Sequence, residues 1–152
     1  MNSGDVVASG EFDLERFIRA QEGGVYEQAL AEIRAGRKRT HWMWFVFPQL
    51  AGLGMSPTAQ RFGIKGIGEA KAYLAHPLLG KRLEECMESA AAIEGLTARE
   101  AFGTPDDLKL RSSATLFAAA APGGSVYEQV LKRFFGGEPD EKTLELLGDA
   151  AR

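Results

Sequence analysis

The chain has 152 residues, 45% hydrophobic and 26% charged, which is the composition of an ordinary globular protein about one domain long. The net charge of −3 argues against a nucleic-acid partner, since proteins that coat nucleic acid usually present a basic domain. The single cysteine, Cys86, excludes an internal disulfide. No window approaches the roughly 20 apolar residues that span a bilayer, so no membrane partner is predicted.

The N-terminal part is predicted to be a loose segment followed by two helices. Residues 1–11 are polar and contain glycine without any periodicity, and they lack the regions of a signal peptide, so we expect a cytoplasmic protein. A first helix is expected over 13–21 with Asp13 as its N-cap. A second helix is expected over 25–35, with Gly36 as its C-terminal glycine.

A run of apolar residues from Trp42 to Phe47 dominates the next segment, GRKRTHWMWFVFPQLAGLG, which contains both tryptophans. Six consecutive apolar residues are too many for one face of a surface helix, so the run is buried or lines a cavity. A lone strand would leave its backbone groups unpaired, and no other window reads as a partner strand. We therefore predict a short buried helix or an irregular extended segment, ending before Pro48.

The rest of the chain reads as a series of short helices punctuated by glycine and proline. Gly63, Gly66 and Gly68 are expected to form a flexible connector. Helices are predicted after the caps Ser56, Thr97 (with Glu100), Thr104, Ser125 (with Glu128) and Asp140, over 69–75, and, as the longest one, over 77–93. The sequence thus predicts an all-α, compact single domain over 12–148, with about seven to nine short helices around an aromatic-rich core.

One short motif occurs twice, as VYEQAL from Val25 and VYEQVL from Val126. The motif is too short to be a stacking structural repeat. It predicts that two helices begin alike and pack Tyr26 and Tyr127 in a similar way.

Three pieces of the sequence, HWMWFVFPQLAGLG, YLAHPLLGKRL and FGTPDDLKLRSSATLF, resemble the signature of the DUF1810 family. This is a bacterial family of small uncharacterised proteins, sometimes mislabelled calpastatin. The resemblance extends over roughly residues 12–147 and implies a compact, mostly helical single domain. It implies no established activity and no catalytic residues, so function has to be inferred from the side chains.

Few side chains suit metal or nucleophilic chemistry. With only His41 and His76 a three-histidine site is impossible, and we predict no metal and no cofactor. Cys86 lies on the apolar face of a predicted helix, where a free cysteine is usually a core residue. His76 is interpreted as a structural residue that caps carbonyl groups at a helix end. Neither a P-loop nor a G-x-S-x-G elbow is present.

Two polar groups of residues are the candidate site. The first comprises Arg39, His41 and Gln49 around the aromatic run, and the second comprises Asp107, Arg111 and Ser112 on a later helix. Serines inside a helix often bond back to the preceding turn, which is the structural alternative for Ser112. If the two groups meet, the arginines would bind an anionic group, Trp42 or Trp44 would stack on a flat ring, and His41 or Asp107 would transfer protons.

Three functions remain open on the sequence alone. The first is a pocket, catalytic or purely binding, for an anionic, ring-bearing small molecule of the nucleotide or sugar-phosphate type, and its mark would be a concave site walled by the tryptophans. The second is a non-enzymatic interaction protein that docks a protein partner through an exposed Trp42 to Phe47 segment. The third, a binder of single-stranded nucleic acid, is the weakest because of the acidic balance. Whether the chain is an enzyme stays undecided.

Overall fold

A computed structural model describes residues 12–151 of the chain, and this part contains ten α-helices and no strand. The segment 1–11, expected to be loose, lies outside the described residues. The helices are α1 Glu15–Ala20, α2 Val25–Arg34, α3 Met43–Val46, α4 Pro57–Phe62, α5 Ile67–Ala75, α6 Leu79–Ala91, α7 Ala98–Phe102, α8 Asp106–Ala120, α9 Val126–Phe135 and α10 Glu141–Ala151. The predicted all-α class is confirmed. Among residues 12–151, no helix combines the length and the hydropathy of a membrane span.

The core is built around α8, which packs against α5, α7, α9 and α10, while α6 packs against α2, α5 and α9. Aromatic rings run through this core as a continuous chain. The order of contact is Phe62, Phe17, Tyr73, Phe117 and Tyr127, with ring centroids 5.1–5.8 Å apart. Because neighbouring rings at such distances attract each other beyond their burial, this chain ties α4, α1, α5, α8 and α9 together.

The aromatic run forms the short buried helix that was one of the two predicted alternatives. Helix α3 is a single turn, and Phe47 then leaves the helical conformation with φ −119° and ψ 75°, as expected for a residue before proline. The following segment returns alongside residues near Ile64, where an isolated parallel bridge joins Leu50 and Ile64. That bridge satisfies backbone groups that a lone extended segment would leave unpaired.

Local capping signals gave accurate helix starts. Ser56 Oγ accepts from the Ala59 N–H at 3.0 Å, and Thr97 with Glu100 forms a complete capping box. Asp140 Oδ2 accepts from the Thr143 N–H at 2.9 Å. These side chains satisfy amide groups that have no partner inside their own helices.

Several other expectations about the helices are wrong. The longest helix is α8 with 15 residues, whereas α6 has only 13. Helix α6 is shorter than predicted at its start, because His76 Nδ1 accepts hydrogen bonds from the N–H groups of Leu78 and Leu79 and the helix begins only after Pro77. His76 therefore caps a helix start and not carbonyl groups. Neither Asp13 nor Thr104 is an N-cap; those positions belong to Leu14 and Pro105, without side-chain cap bonds.

The glycine-rich connector between α4 and α5 is packed. Gly63 is buried, and a Cβ atom there would lie 2.7 Å from the Ala51 Cα. Gly68 belongs to α5, which begins at Ile67, two residues before the predicted start. Gly63 therefore allows the close approach of two backbone segments at this point.

A buried ion pair fixes α1 to this connector. Arg16 Nη1 lies 2.9 Å from Glu69 Oε2, and the two side chains are 8% and 0% exposed. The Arg16 guanidinium also donates to the carbonyl oxygens of Arg61 at 2.8 Å and Gly63 at 3.1 Å. The second Glu69 oxygen accepts from the Lys65 N–H at 2.8 Å. Every charge in this cluster is thus hydrogen-bonded, which is the condition for burying it.

Cys86 is fully buried in α6, in agreement with its interpretation as a core residue. Burial, the largest effect, together with the negative charge of Glu85, raises the pKa of its thiol to about 12. A thiol with such a pKa is protonated at neutral pH and is not a nucleophile.

Replacing Gly80 by alanine is expected to destabilise the protein by about 1–3 kcal/mol. A Cβ atom at this position would lie 2.1 Å from the Leu74 carbonyl oxygen, so α5 and α6 would have to move apart. The midpoint of thermal unfolding measures the effect. Gly148→Ala is the matched control, since that glycine is also helical and has nothing within 4 Å of an added Cβ. The control is expected to be neutral or stabilising; equal destabilisation by both changes would contradict the close approach at Gly80.

Candidate functional site

The segment before the aromatic run is held by a buried carboxylate, Glu32 on α2. Its Oε1 accepts from the backbone N–H of Arg39 at 2.7 Å and of Thr40 at 3.0 Å, and from Trp42 Nε1 at 2.9 Å. Its Oε2 accepts from Thr40 Oγ1 at 2.6 Å and Gln28 Nε2 at 2.8 Å. Burial alone would raise the pKa of Glu32, but the hydrogen bonds, that from Thr40 foremost, hold it well below its usual range.

Next to this carboxylate, Lys38 forms an ion pair with the start of α8. Its Nζ lies 2.7 Å from Asp106 Oδ2, and the lysine side chain is only 7% exposed. The same ammonium group lies 4.9 Å from the centroid of the Trp42 ring, as a cation–π contact. Asp106 is shared with a second cation, because Lys109 Nζ lies 3.5 Å from its Oδ1.

These residues surround a cavity of about 280 Å³, which we call the tryptophan cleft. Its lining consists of Lys38, His41, Trp42, Met43, Trp44, Phe45, Ser56, Thr58, Asp106 and Lys109. Four of the ten side chains are apolar, and the other six supply two ammonium groups, one carboxylate, one imidazole and two hydroxyl groups. Such a combination is characteristic of small-molecule sites.

The structure divides the first predicted group of site residues. His41 is exposed and lines the cleft together with Trp42 and Trp44. Arg39 is exposed, and its side chain is not part of the lining. Gln49 is buried, 2% exposed, and its Nε2 has no hydrogen-bond partner among the residues that the structure describes. Gln49 likewise does not line the cleft.

The second predicted group does not reach the tryptophan cleft. Arg111 points toward the α9–α10 connection, where its Nε donates to the Glu138 carbonyl oxygen at 3.0 Å. Ser112 Oγ donates back to the Leu108 carbonyl oxygen at 3.1 Å, the structural alternative. Asp107 accepts from the Leu108 N–H and does not line the cleft. The two groups therefore do not form one site around the tryptophans, because Asp106, not Asp107, is on the face of α8 toward them.

Sequence reasoning missed the charged residues of the cleft. Lys38, Asp106 and Lys109 were not among the predicted site residues. A signal existed: Asp106 and Lys109 are three residues apart, so they share one helix face. Nothing in the sequence indicated that Lys38 would face them, since this contact joins segments 68 residues apart.

Within residues 12–151 no three His, Cys, Asp or Glu side chains are grouped closely enough to hold a metal ion. The cleft holds a single carboxylate and a single imidazole, which is short of the donor sets of zinc sites.

Comparison with known proteins identifies relatives but no activity. A family model described as "Protein of unknown function (DUF1810)" matches residues 11–147. The crystal structure of the conserved hypothetical protein Rv1873 from Mycobacterium tuberculosis is similar, with 52% sequence identity, a TM-score of 0.88, and coverage of 91% of this chain and 98% of that one. None of the curated proteins matches.

Proposed function

We propose that this chain, which belongs to the DUF1810 family of proteins of unknown function, binds a small anionic molecule in the tryptophan cleft. The observation that carries the proposal is the position of the two tryptophans. Both line a concave cleft, and only 2% of Trp42 and 8% of Trp44 are exposed. A protein-docking segment would instead present them on an open surface.

The charges of the cleft favour an anion. Two ammonium groups and one carboxylate leave one net positive charge around the cavity. Lys38 is nearly buried and committed to Asp106, whereas Lys109 is 33% exposed and lies at the longer distance of 3.5 Å. Lys109 is therefore the cation that a ligand can recruit, while Lys38 and Asp106 fix the geometry.

The aromatic wall favours a flat or sugar-like group beside the anion. One face of Trp42 is occupied by the Lys38 ammonium, and its indole N–H is bonded to Glu32. Trp44 keeps a small exposed surface in the cleft and is the ring left for a ligand. A volume of about 280 Å³ suits a sugar phosphate or a nucleoside monophosphate better than a dinucleotide.

The proposed function is binding. If the bound molecule also reacts, one side chain of the cleft has to transfer a proton. His41 is the exposed imidazole of the cleft, so it is the group available to move a proton on a bound molecule. Asp107 lies outside the lining and is not needed for that role.

Ribose 5-phosphate and AMP are expected to raise the midpoint of thermal unfolding by about 5–10 °C at 100 times their dissociation constant. At that concentration a ligand raises the free energy of unfolding by roughly 2.7 kcal/mol. For a protein of this size each kcal/mol raises the midpoint by about 2–4 °C. Lys109→Ala is expected to weaken binding about tenfold, because a charge-assisted hydrogen bond is lost. Calorimetric titration measures both affinities, and a product assay on the bound compound tests turnover.

Arg39→Ala is the control for that measurement, because it removes a neighbouring exposed cation that does not line the cleft. Its affinity should stay within about twofold of the parent. Loss of binding in Arg39→Ala with retention in Lys109→Ala would move the site to the arginine. If neither phosphate binds, the proposal is wrong and a search for a protein partner becomes the next step.

A further inference from the structure

A second groove lies on a different part of the molecule, between the start of α6 and the turn that leads into α9. It has a volume of about 690 Å³, and we call it the acidic groove. Its polar side chains are His76, Lys81, Glu84, Glu88, Ser125, Tyr127 and Gln129. None of them belongs to the tryptophan cleft.

Tyr127 is the feature that distinguishes this groove from an ordinary surface depression. Its side chain is 5% exposed and lines the groove, yet its hydroxyl makes no hydrogen bond to any residue that the structure describes. The corresponding tyrosine of the repeated motif, Tyr26, donates its hydroxyl to Glu85 on the same helix α6. The ring of Tyr127 is thus nearly buried while its hydroxyl opens into the groove, where a bound molecule can form a hydrogen bond with it.

The two carboxylates beside Tyr127 are also unpartnered. Glu84 and Glu88 are one helical turn apart on α6, a spacing at which like charges repel. Within the described part of the chain neither forms an ion pair, and burial followed by these two charges raises the pKa of the Tyr127 hydroxyl. Glu84, Glu88 and Tyr127 all line the same groove.

The net charge of the groove lining favours a cationic ligand. Two carboxylates and the Lys81 ammonium leave one net negative charge. His76 already uses Nδ1 to cap α6, so its lone pair is not available to a ligand. The described residues include no group of three metal-ligating side chains, which favours an organic cation over a metal ion.

We infer that the acidic groove binds a small organic cation, an amine or guanidinium whose N–H groups donate to Glu84, Glu88 and the Tyr127 oxygen. The several donors of such a group match three oxygen acceptors that have no partner in the protein. The groove is larger than the tryptophan cleft and shares no residue with it, so it can be tested independently.

Agmatine and 1,4-diaminobutane are the probes, with uncharged 1,4-butanediol as the ligand control. Calorimetric titration and chemical-shift changes in NMR spectra of the full chain measure binding. We expect saturable binding of at least one amine in the submillimolar range and none of the diol. Glu84→Gln and Glu88→Gln should each weaken binding about tenfold, and Tyr127→Phe about threefold.

Glu94→Gln is the matched control, since this exposed carboxylate follows the end of α6 outside the groove. All these variants are expected to fold, because they remove a repulsion or a hydroxyl without a partner. Absence of saturable binding of both amines at about 10 mM would overturn the inference. So would equal weakening by Glu94→Gln, or binding of Mg²⁺ that is tighter than that of the amines and lost in the same variants.

Discussion

Glu69→Ala is expected to lower the free energy of unfolding by about 3–5 kcal/mol, because it leaves the Arg16 guanidinium buried without its counter-charge. Arg16 is only 8% exposed at its side chain, so water cannot replace the carboxylate. The Lys65 N–H also loses its acceptor. For a protein of this length the midpoint of thermal unfolding should fall by roughly 6–20 °C. Chemical denaturation gives the free energy directly.

Glu15→Ala provides the control on the same helix. Glu15 pairs with Arg19 across 4.0 Å, but the two side chains are 62% and 71% exposed. An exposed pair of this kind contributes little, so the control should change stability by no more than about 0.5 kcal/mol. The double variant Arg16→Met with Glu69→Leu is expected to recover much of the loss, since apolar side chains can replace a buried pair. If Glu69→Ala is as stable as the parent, the ion pair is not buried in solution.

Glu32→Gln is the second large expected effect, a loss of about 3 kcal/mol. The change keeps the shape of the side chain but replaces one carboxylate oxygen by an NH₂ group, which cannot accept a hydrogen bond. If that group takes the place of Oε2, it faces the donors Gln28 Nε2 and Thr40 Oγ1. If it takes the place of Oε1, it faces donors that include the backbone N–H of Arg39. Because this carboxylate also positions Trp42, ligand affinity in the tryptophan cleft should fall together with stability. Urea denaturation and calorimetric titration measure the two effects.

The difference between Glu32→Gln and the parent should depend on pH in a definite direction. The pKa of Glu32 is lower in the folded chain than the value of about 4.3 expected when unfolded. Its contribution is therefore complete above about pH 5 and declines as the pH falls below 4 toward the folded pKa. Glu27→Gln, an exposed neighbour on α2, is the control. A stability difference that grows on acidification would contradict this account.

Much of the helical framework follows from local sequence because caps act within one turn. Ser56, Thr97 and Asp140 each bond to an amide three residues away, and such bonds need no tertiary context. His76 shows the limit of this reasoning. Its position before Pro77 correctly ended α5, but its imidazole caps the helix that follows, which depends on how the chain turns there.

The candidate site was predictable only in part. The length of the aromatic run indicated that Trp42 and Trp44 would be buried in a wall, and both line the cleft. Which charges approach that wall depends on the packing of α8 beside α3. Successive residues of an α-helix are about 100° apart around its axis, so Asp106 and Asp107 point in different directions. Sequence spacing alone does not fix that rotation.

Glu32 and Glu69 were missed because charged residues on short helices are usually exposed. Each is nevertheless adjacent to a buried apolar residue, Ile33 and Ala70, at the edge of the apolar face. A carboxylate at that position accepts hydrogen bonds from backbone N–H groups of connecting segments, as Glu32 does from Arg39 and Glu69 does from Lys65. The sequence predicts those segments only as turns. Burial of these two groups is a tertiary property.

The single thiol at position 86 gives the fold a built-in kinetic reporter. Since Cys86 is fully buried and protonated at neutral pH, a thiol reagent can react only after α6 separates from its neighbours. The rate of labelling then measures how often the centre of the molecule opens, without any added probe. Because α6 also carries one wall of the acidic groove, an amine bound there would slow that labelling. A phosphate in the tryptophan cleft, which includes no residue of α6, would do so only by stabilising the whole molecule.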